Sequence, residues 1–302
     1  MSSPRPEPQG DTQRGGCLCG AVRYEVRGPY RWMAHCHCSL CRRHHGALFS
    51  TSLGVDARRF RWLAGEADIV HYRASPAFAR PFCRVCGAKV PTASQLSAVV
   101  NVPAGTLDGD VAMRPRTHIF AASKSPATVI ADGLRRFDAY PPATGWAPPP
   151  TPPRADPPAG VISASCLCGA VAYRLDGALG ATFHCHCAAC RRSTGAAHAT
   201  WSAAAPADLR WMRGADLVAS HRPSGTHLLE VRFCGACGSL LPASGRAHGR
   251  VLLPVGALDG LDGTRGGAAG GHAHAASKAP WHEIADDLPR YEAAPPPAAR
   301  WS

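Results

Sequence analysis

Two short runs of this chain concentrate the side chains that bind soft metal ions. Three thiols and two imidazoles fall within His35–Cys41, and the same pattern returns within His184–Cys190. Thiolate sulfur and imidazole nitrogen are the donors that Zn²⁺ prefers in proteins. Because such a dense run occurs twice, the sequence predicts that the chain binds a metal ion in this way twice.

Each run is flanked by two further pairs of cysteines, a C-x-C pair upstream and a C-x-x-C pair about forty residues downstream. A structural zinc ion takes four protein ligands in a closed tetrahedron, commonly as two pairs from separate loops. The flanking pairs therefore predict one structural zinc site in each copy. The predicted ligands are Cys17, Cys19, Cys83 and Cys86 in the first copy and Cys166, Cys168, Cys234 and Cys237 in the second.

Three thiols then remain in each central run. Three protein ligands and a vacant fourth position are typical of a reactive zinc ion. A zinc ion held by three thiolates suits a soft incoming ligand, namely a substrate thiol held as thiolate. Such a thiolate is the nucleophile required to add sulfur to a small carbonyl compound. The predicted zinc ligands and catalytic residues are Cys36, Cys38, Cys41, Cys185, Cys187 and Cys190.

Spacing alone leaves other arrangements of the central run open. His35 or His37, and likewise His184 or His186, could close the site as a fourth ligand and make it structural. A mixed partition of the ligands is also compatible with the spacing. A redox role is less favoured, because the thiols are too many and too regularly paired.

Basic residues follow the last cysteine of each run. Arg42 and Arg191 are predicted to bind a substrate carboxylate through two parallel hydrogen bonds. The alternative is that the arginines there pair with local acidic side chains. His44 and His45 have no counterpart in the second run, where Ser193 and Thr194 stand, and are interpreted as solvated side chains.

The spacing of the repeats predicts a tandem duplication. Cys17–Val22 recurs as Cys166–Val171 at an offset of 149 residues, and the downstream cysteine pair recurs at 151. Seven cysteines fall in each copy. A proline-rich segment between the copies is interpreted as an extended spacer. The predicted organisation is a disordered tail over residues 1–14, a first domain over 15–140, a linker over 141–160 and a second domain over 161–298.

Within each copy the hydrophobic pattern favours strands over helices. Gly20–Val26 and Ala170–Leu175 alternate apolar with polar residues, which is the period of a half-buried strand. Short apolar runs bounded by glycine, proline or aspartate follow, as at Ser97–Val102 and Val251–Val255. We therefore expect a small, mostly-β domain, duplicated, in which zinc fixes the turns.

Composition limits the classes of function. None of the 302 residues falls in an apolar stretch approaching the ~20 residues of a membrane-spanning helix. The polar N-terminus has no apolar segment typical of a secretory signal, so a cytoplasmic location is expected. The net charge of +12 is spread without a Lys/Arg block. Nucleic acid is therefore not expected as a partner, and the oligomeric state is left open.

Taken together, these motifs resemble the GFA (glutathione-dependent formaldehyde-activating) and CENP-V family. The resemblance rests on C-x-C-G-x-V, C-H-C-x-x-C-R-x-x-x-G, F-C-x-x-C-G and S-K-x-P, and it covers both copies. It implies tandem Mss4-like (β-tent) domains with two zinc ions each, four per chain. It also implies that the C-x-C and late C-x-x-C pairs hold the structural zinc and that the central cysteines hold the zinc at a glutathione site.

The activity implied by the resemblance is formation of S-hydroxymethylglutathione from formaldehyde and glutathione, classed as that of a carbon–sulfur lyase. The alternative is a non-catalytic, zinc-stapled module that carries glutathione or binds a protein or nucleic acid. Two departures put the substrate assignment of the second copy in doubt. Val231 stands in register with Arg80, and His272–His274 replaces the His-Ile-Phe of His118–Phe120.

Overall fold

The computed structural model describes residues 11–75, 78–94, 97–149, 157–158, 160–223, 230–245, 249–261 and 267–296. Strands dominate the described residues, and each copy contributes one α-helix of seven residues. The prediction of a mostly-β chain is thereby confirmed. Over the same ranges, no helix is long and apolar enough to cross a membrane. Of the predicted tail, residues 11–14 are described, and the first strand begins at Thr12.

The first copy contains eleven strands in the described residues. The alternating segment around Tyr24 forms a strand as predicted, with Tyr24 and Val26 fully buried against the core. The strands are β1 (Thr12–Gly16), β2 (Arg23–Arg27), β3 (Trp32–Cys36), β4 (Ser50–Asp56), β5 (Phe60–Ala64), β6 (Ile69–Ser75), β7 (Phe78–Cys83), β8 (Thr92–Ala93), β9 (Val99–Pro103), β10 (Thr117–Ile119) and β11 (Arg135–Arg136).

The second copy repeats this order, except that it has two additional short strands, Leu240–Leu241 and Leu258–Asp259, and only an isolated bridge in place of β11. Its strands are β12 (Ile162–Ser165), β13 (Ala172–Leu175), β14 (Thr182–Cys185), β15 (Ala199–Ala204), β16 (Leu209–Arg213), β17 (Val218–His221), β18 (Val231–Cys234), β19 (Leu240–Leu241), β20 (Ala243–Gly245), β21 (Arg250–Pro254), β22 (Leu258–Asp259) and β23 (Ala269–Ala273). The predicted strands at Ala170–Leu175 and Val251–Val255 correspond to β13 and β21.

One sheet in each copy carries the central cysteine run. In the first copy its strand order is β11-β10-β3-β4-β9-β8, and Cys36, the last residue of β3, lies opposite Ser50 of β4. In the second copy the order is β20-β21-β15-β14-β23, and Cys185 lies opposite Ala199. The strand beside each run is parallel to it, β10 in the first copy and β23 in the second. Each run therefore begins at the end of a central strand, which is hydrogen-bonded to a neighbouring strand on both sides.

Each run continues into a short helix, α1 (Ser39–His45) and α2 (Ala188–Thr194). A cysteine caps each helix, because the sulfur of Cys38 accepts the backbone N–H of Cys41 and that of Cys187 accepts the N–H of Cys190. A glycine in the left-handed conformation ends each helix. The sequence pattern did not predict these helices, because seven residues are too few to give a helical period.

The two copies pack against each other through equivalent surfaces. Phe82 and Phe233, each 1% exposed, meet edge to face with ring centroids 6.2 Å apart. A Cβ on Gly46 would lie 2.6 Å from the Cβ of Leu240, and one on Gly195 would lie 2.8 Å from the Cβ of Pro103. Each helix-ending glycine therefore also allows the other copy to approach.

Two ion pairs cross the boundary between the copies at equivalent positions. Arg43 on α1 pairs with Asp259 of the second copy, and Arg192 on α2 pairs with Asp108 of the first. The Arg43 side chain is only 7% exposed, and it also donates to the backbone oxygens of Ser165 and Ala257. Asp259 is 29% exposed, but its removal would leave the buried charge of Arg43 without an acidic partner, which is costly.

Asp259→Ala should therefore destabilise the chain by about 3 kcal/mol, the lower end of what removing one partner of a buried pair costs. The lower end applies because Arg43 keeps two carbonyl acceptors. Denaturant unfolding would measure the loss. Asp110→Ala is the matched control, since Asp110 and its partner Arg114 are 45% and 52% exposed and such pairs contribute under ~1 kcal/mol. Equal effects of the two changes would contradict the role of Asp259 as the partner of a buried arginine.

Candidate functional site

Four clusters of cysteine side chains converge in the folded chain, two in each copy. All fourteen cysteines are free thiols. In the first four-cysteine cluster the sulfur of Cys19 lies 3.4 Å from that of Cys17 and 3.8 Å from that of Cys83. The equivalent distances in the second copy are 3.3 and 3.9 Å. A tetrahedral zinc with bonds of ~2.3 Å to sulfur separates its ligands by about 3.8 Å, so these sulfurs fit one zinc ion.

The electrostatics of the four-cysteine clusters also fit a bound cation. Hydrogen bonds from Cys83 and Cys86 lower the pKa of Cys17 to about 2, while the bond to Cys17 raises the pKa of Cys83 to about 12. In the second copy, hydrogen bonds within the cluster lower the pKa of Cys237 and raise the pKa of Cys166, the equivalent of Cys17, so in each cluster one sulfur carries negative charge more readily than its neighbours. The backbone N–H of Val22 donates to Cys17 at 3.2 Å, and the second copy repeats this bond. Four soft sulfurs supported by N–H donors are a donor set suited to zinc.

The three-cysteine clusters lie where a strand meets a helix. In the first copy, Cys36 ends β3, Cys38 caps α1 and Cys41 lies in the first turn of α1. The three sulfurs lie within 4.8 Å of one another, as do those of Cys185, Cys187 and Cys190. The sequence prediction that the central run converges on one point agrees with this geometry. Each cluster offers three sulfurs and could hold a metal ion with one position left for another ligand.

The histidines between these cysteines have other partners. In the first copy, His35 Nδ1 bonds the Thr51 hydroxyl at 2.9 Å, and His37 Nε2 lies 2.8 Å from His118 Nδ1. His118 Nε2 in turn lies 2.9 Å from a carboxylate oxygen of Asp132. Among the described residues, the groups that could hold a metal ion consist of cysteines alone. The structure therefore favours neither His35 nor His37 as a fourth ligand. The equivalent residues of the second copy are His184, His186, His272 and Asp286.

A cavity of about 650 Å³ opens onto the first three-cysteine cluster. Cys36 and Cys41 form part of its wall, and much of the rest is apolar, including Trp32, Met113 and Trp146. Small-molecule sites commonly have volumes of ~300–1,000 Å³ and mainly apolar walls. The first cluster is therefore accessible to a molecule of that size.

Arg80 of β7 lies in this cavity beside the thiols. Both of its terminal nitrogens donate to the sulfur of Cys41 at 3.6 Å. Burial alone would lower the pKa of Arg80, but the thiolates of Cys41 and Cys38 outweigh it and raise that pKa. The Nε of Arg80 is buried without a hydrogen-bond partner among the described residues. A fixed cation with a spare donor can stabilise negative charge on an oxygen bound beside the thiols.

His44 and His45 also line the cavity, so their interpretation as solvated side chains is wrong. They are 3% and 6% exposed. The Nδ1–H of His45 donates to the backbone oxygen of Thr194 in the second copy at 2.6 Å. Lys89 donates to the oxygen of Gly238, also in the second copy, at 2.6 Å, and burial lowers its pKa to about 7. The second copy therefore helps to position the wall of the first copy's cavity.

The beginning of the predicted linker contributes to the same cavity. Residues 141, 144 and 146 are among those that line it. Trp146 packs on Tyr140 with ring centroids 5.5 Å apart, and Tyr140 packs on Phe120 at 4.8 Å. A single 3₁₀ turn, Pro142–Thr144, brings the chain back over the cavity. The boundaries of the linker stay a prediction, and residues 150–156 and 159 lie outside the described ones.

The arginines predicted to bind substrate have partners outside the cavity wall. Arg42 donates to the backbone oxygens of His37 and Gly256 at 3.3 and 3.2 Å, and Arg191 donates to the backbone oxygen of His186 at 3.1 Å. Arg42 is not among the residues that line the cavity, whereas Arg80 is. A substrate role for Arg42 and Arg191 stays a prediction. Their neighbours Arg43 and Arg192 pair with acidic side chains, which is the alternative interpretation given for the arginines of these runs.

The second three-cysteine cluster faces packed apolar side chains. Trp201 of β15 occupies the position that Ser52 has in β4. Trp201 lies opposite Phe183, and Ser52 lies opposite Ala34, the first-copy equivalent of Phe183. Likewise Val231 stands in place of Arg80, and Leu240 in place of Lys89. One buried group contains Cys190, Ala199, Trp201, Val231, Leu240 and Ala243, and Cys185 and Cys187 pack against it.

Sequence reasoning missed most of the cavity residues that are not cysteines. The signal that could have found them is the difference between the copies. At the positions of Ser52, Arg80 and Lys89, the second copy has larger or apolar residues. The pairing of the central strands and the cysteine motifs recur in both copies, so these differences mark the site and not the fold.

Comparison with known proteins supports this division into copies. The family described as "Glutathione-dependent formaldehyde-activating enzyme" matches residues 12–123 and again residues 161–269. Among solved structures, a crystal structure of a Rhodobacter sphaeroides protein is 26% identical over 37% of this chain and 99% of that chain, with a TM-score of 0.30. The family match covers well over half of the sequence and falls once on each set of cysteine clusters. The chain therefore belongs to the glutathione-dependent formaldehyde-activating (GFA) family and contains two tandem Mss4-like GFA domains.

Proposed function

We propose that this protein is a zinc-dependent enzyme that makes and breaks a carbon–sulfur bond between a thiol, such as glutathione, and a small carbonyl compound, such as formaldehyde. The observation that carries this proposal is the open cavity of the first copy, where three converging thiols and Arg80 meet. Zinc is proposed in all four cysteine clusters. The fourteen unpaired thiols also suit a reducing compartment such as the cytoplasm.

The cysteines and Arg80 have separate roles in the proposed reaction. Cys36, Cys38 and Cys41 would hold zinc, which when bound supplies a substrate thiol in its ionised, nucleophilic form. The substrate sulfur forms a bond with the carbonyl carbon, and the electrons of the carbon–oxygen double bond move to the oxygen. Arg80 donates a hydrogen bond to that oxygen while it carries charge. The proton released by the thiol ends on the same oxygen, which gives a hydroxymethyl thioether with no other reactant.

Arg116 offers a site for a substrate carboxylate. It is an exposed residue of the cavity wall and has no ion-pair partner among the described residues. We expect Arg116→Ala to raise KM for glutathione by ~10-fold and to leave kcat unchanged, because a hydrogen bond to a charged group contributes ~1.5–3 kcal/mol. Steady-state kinetics would measure both constants.

Two controls make the Arg116 test specific. A thiol without carboxylates, 2-mercaptoethanol, should react equally well with both proteins. Arg114→Ala removes a nearby exposed arginine that pairs with Asp110 and should leave KM for glutathione unchanged. If Arg116→Ala raises KM for both thiols alike, a carboxylate contact at Arg116 is refuted.

Exchange NMR with isotope-labelled formaldehyde and glutathione tests the activity itself. The wild-type protein should speed the exchange between free formaldehyde and its glutathione adduct. Cys38→Ala should abolish this effect, and Cys187→Ala, the same change in the second copy, should preserve it. If the wild-type protein retains its zinc but does not speed the exchange with glutathione or any other thiol, the enzyme proposal fails. The alternative of a non-catalytic binding module then remains.

A further inference from the structure

Tyr140, the last residue of the predicted first domain, lies in the wall of the cavity that opens onto the first three-cysteine cluster. Cys41 and Arg80 belong to the same wall. We propose that the Tyr140 hydroxyl is a second hydrogen-bond donor, beside Arg80, to the substrate oxygen that becomes charged in the reaction. This inference rests on the proposed function and adds a catalytic residue to it.

The pairing of the backbone places Tyr140 at the end of the sheet where the thiols lie. Strand β10 runs parallel to β3, and Ile119 of β10 lies opposite Cys36. The next residue, Phe120, donates its N–H to the backbone oxygen of Ala139 at 3.3 Å. The segment that ends at Tyr140 is thus hydrogen-bonded to the chain that lies beside Cys36.

Two aromatic contacts fix the ring of Tyr140. It meets the ring of Phe120 edge to face with centroids 4.8 Å apart, and the ring of Trp146 edge to face at 5.5 Å. Phe120 belongs to the same buried group as Cys38, and the other two cysteines of the cluster pack against that group, as Tyr140 does. The ring is therefore held in place before a substrate binds, which an effective donor to developing charge requires.

The hydroxyl of Tyr140 is available to a ligand. It has no hydrogen-bond partner among the residues that the structure describes, although Tyr140 is only partly exposed. The buried hydroxyls of Tyr24 and Tyr30 in the same copy both have partners within the chain. Burial and the neighbouring thiolates, that of Cys36 first, raise the pKa of Tyr140. The hydroxyl therefore keeps its proton at neutral pH and is a hydrogen-bond donor.

The second copy has an alanine, Ala294, at the position of Tyr140. The N–H of His274 donates to the residue before Ala294 at 2.8 Å, as the N–H of Phe120 does to the residue before Tyr140. Arg80 is likewise absent from the second copy. The two proposed donors thus occur together in the copy whose cluster opens onto a cavity, and neither occurs in the other copy.

Tyr140→Phe tests the proposal, because it removes the hydroxyl and keeps both ring contacts. We expect it to lower kcat for the addition of glutathione to formaldehyde by ~10²-fold, the lower end of what one oxyanion donor contributes, since Arg80 remains. KM for glutathione should be unchanged, because the hydroxyl acts as charge develops. Tyr30→Phe is the matched control. It removes a hydroxyl that donates to the oxygen of Asp11 at 3.2 Å outside the cavity wall, and it should change neither constant.

A binding measurement that needs no turnover complements the kinetics. Glutathione sulfonate has charged oxygens on the atom that is the thiol sulfur in glutathione. Titration calorimetry with this compound should show ~10-fold weaker binding to Tyr140→Phe than to the wild-type protein, because a hydrogen bond to a charged group is lost. Tyr30→Phe should bind it as the wild-type protein does.

The outcomes separate this inference from the reaction on which it rests. An unchanged kcat in Tyr140→Phe overturns the inference, as does a wild-type protein that does not bind the sulfonate or a Tyr140→Phe protein that binds it equally well. A wild-type protein without turnover overturns the proposed reaction, and binding of the sulfonate then decides whether Tyr140 donates to a charged oxygen.

Discussion

Replacing Arg80 with valine, the residue of the second copy at the same strand position, should lower kcat/KM for addition of a thiol to formaldehyde by ~10²–10³-fold, the cost of removing one donor from a developing oxyanion. Arg80 is fixed by two contacts to Cys41, and its Nε is the spare donor beside the thiols. Most of the loss should appear in kcat, since charge on the oxygen develops during the reaction and not on binding.

Controls separate the loss of a donor from a loss of structure. Zinc content and unfolding temperature are measured with the kinetics, and both should stay near their wild-type values. Arg80→Lys keeps the charge but loses the planar group with its several donors, so it should recover only part of the rate. Arg27→Val, a change at an exposed arginine outside the cavity wall, should have no effect. An unchanged kcat in Arg80→Val would refute the role of Arg80 in the reaction.

The close cysteine pairs and the strands predicted from alternating or short apolar segments follow from the sequence, because both depend on local spacing. The two cysteines of a C-x-C or C-x-x-C pair are close enough in the chain for both sulfurs to bind the same ion. The alternation of apolar and polar residues around Tyr24 is that of a strand with one buried face. The packing of one copy on the other does not follow from local spacing. It rests on Phe82, Phe233 and the crossed ion pairs such as Arg43–Asp259, whose partners are far apart in the chain.

The candidate site was only half predictable for the same reason. The thiols lie within one run, but Arg80 reaches them from another sheet, and Trp146 reaches the cavity from the linker. His44 and His45 follow Cys41 directly, yet their burial depends on the second copy covering α1. A polar residue beside a cysteine motif looks the same in sequence whether solvent or another domain covers it.

Replacing Cys83 with serine should prevent the chain from folding cooperatively. A structural zinc contributes ~10–16 kcal/mol in small zinc-binding domains, whereas a whole domain is stable by only ~5–15 kcal/mol. Cys83 is fully buried, and its sulfur is a member of the first four-cysteine cluster. We expect zinc content to fall by at least one ion per chain and the thermal unfolding transition to disappear or to broaden, as followed by circular dichroism.

The damage should extend to the second copy. Phe82 precedes Cys83 and packs on Phe233, and Lys89 joins the backbone oxygen of Gly87 to that of Gly238. Loss of the first cluster therefore removes support from the boundary between the copies. Cys38→Ala, which removes one ligand from a cluster that opens onto a cavity, is the control and should keep a cooperative transition. If Cys83→Ser instead melts within a few degrees of the wild-type protein with four zinc ions bound, the four-cysteine cluster does not stabilise the fold.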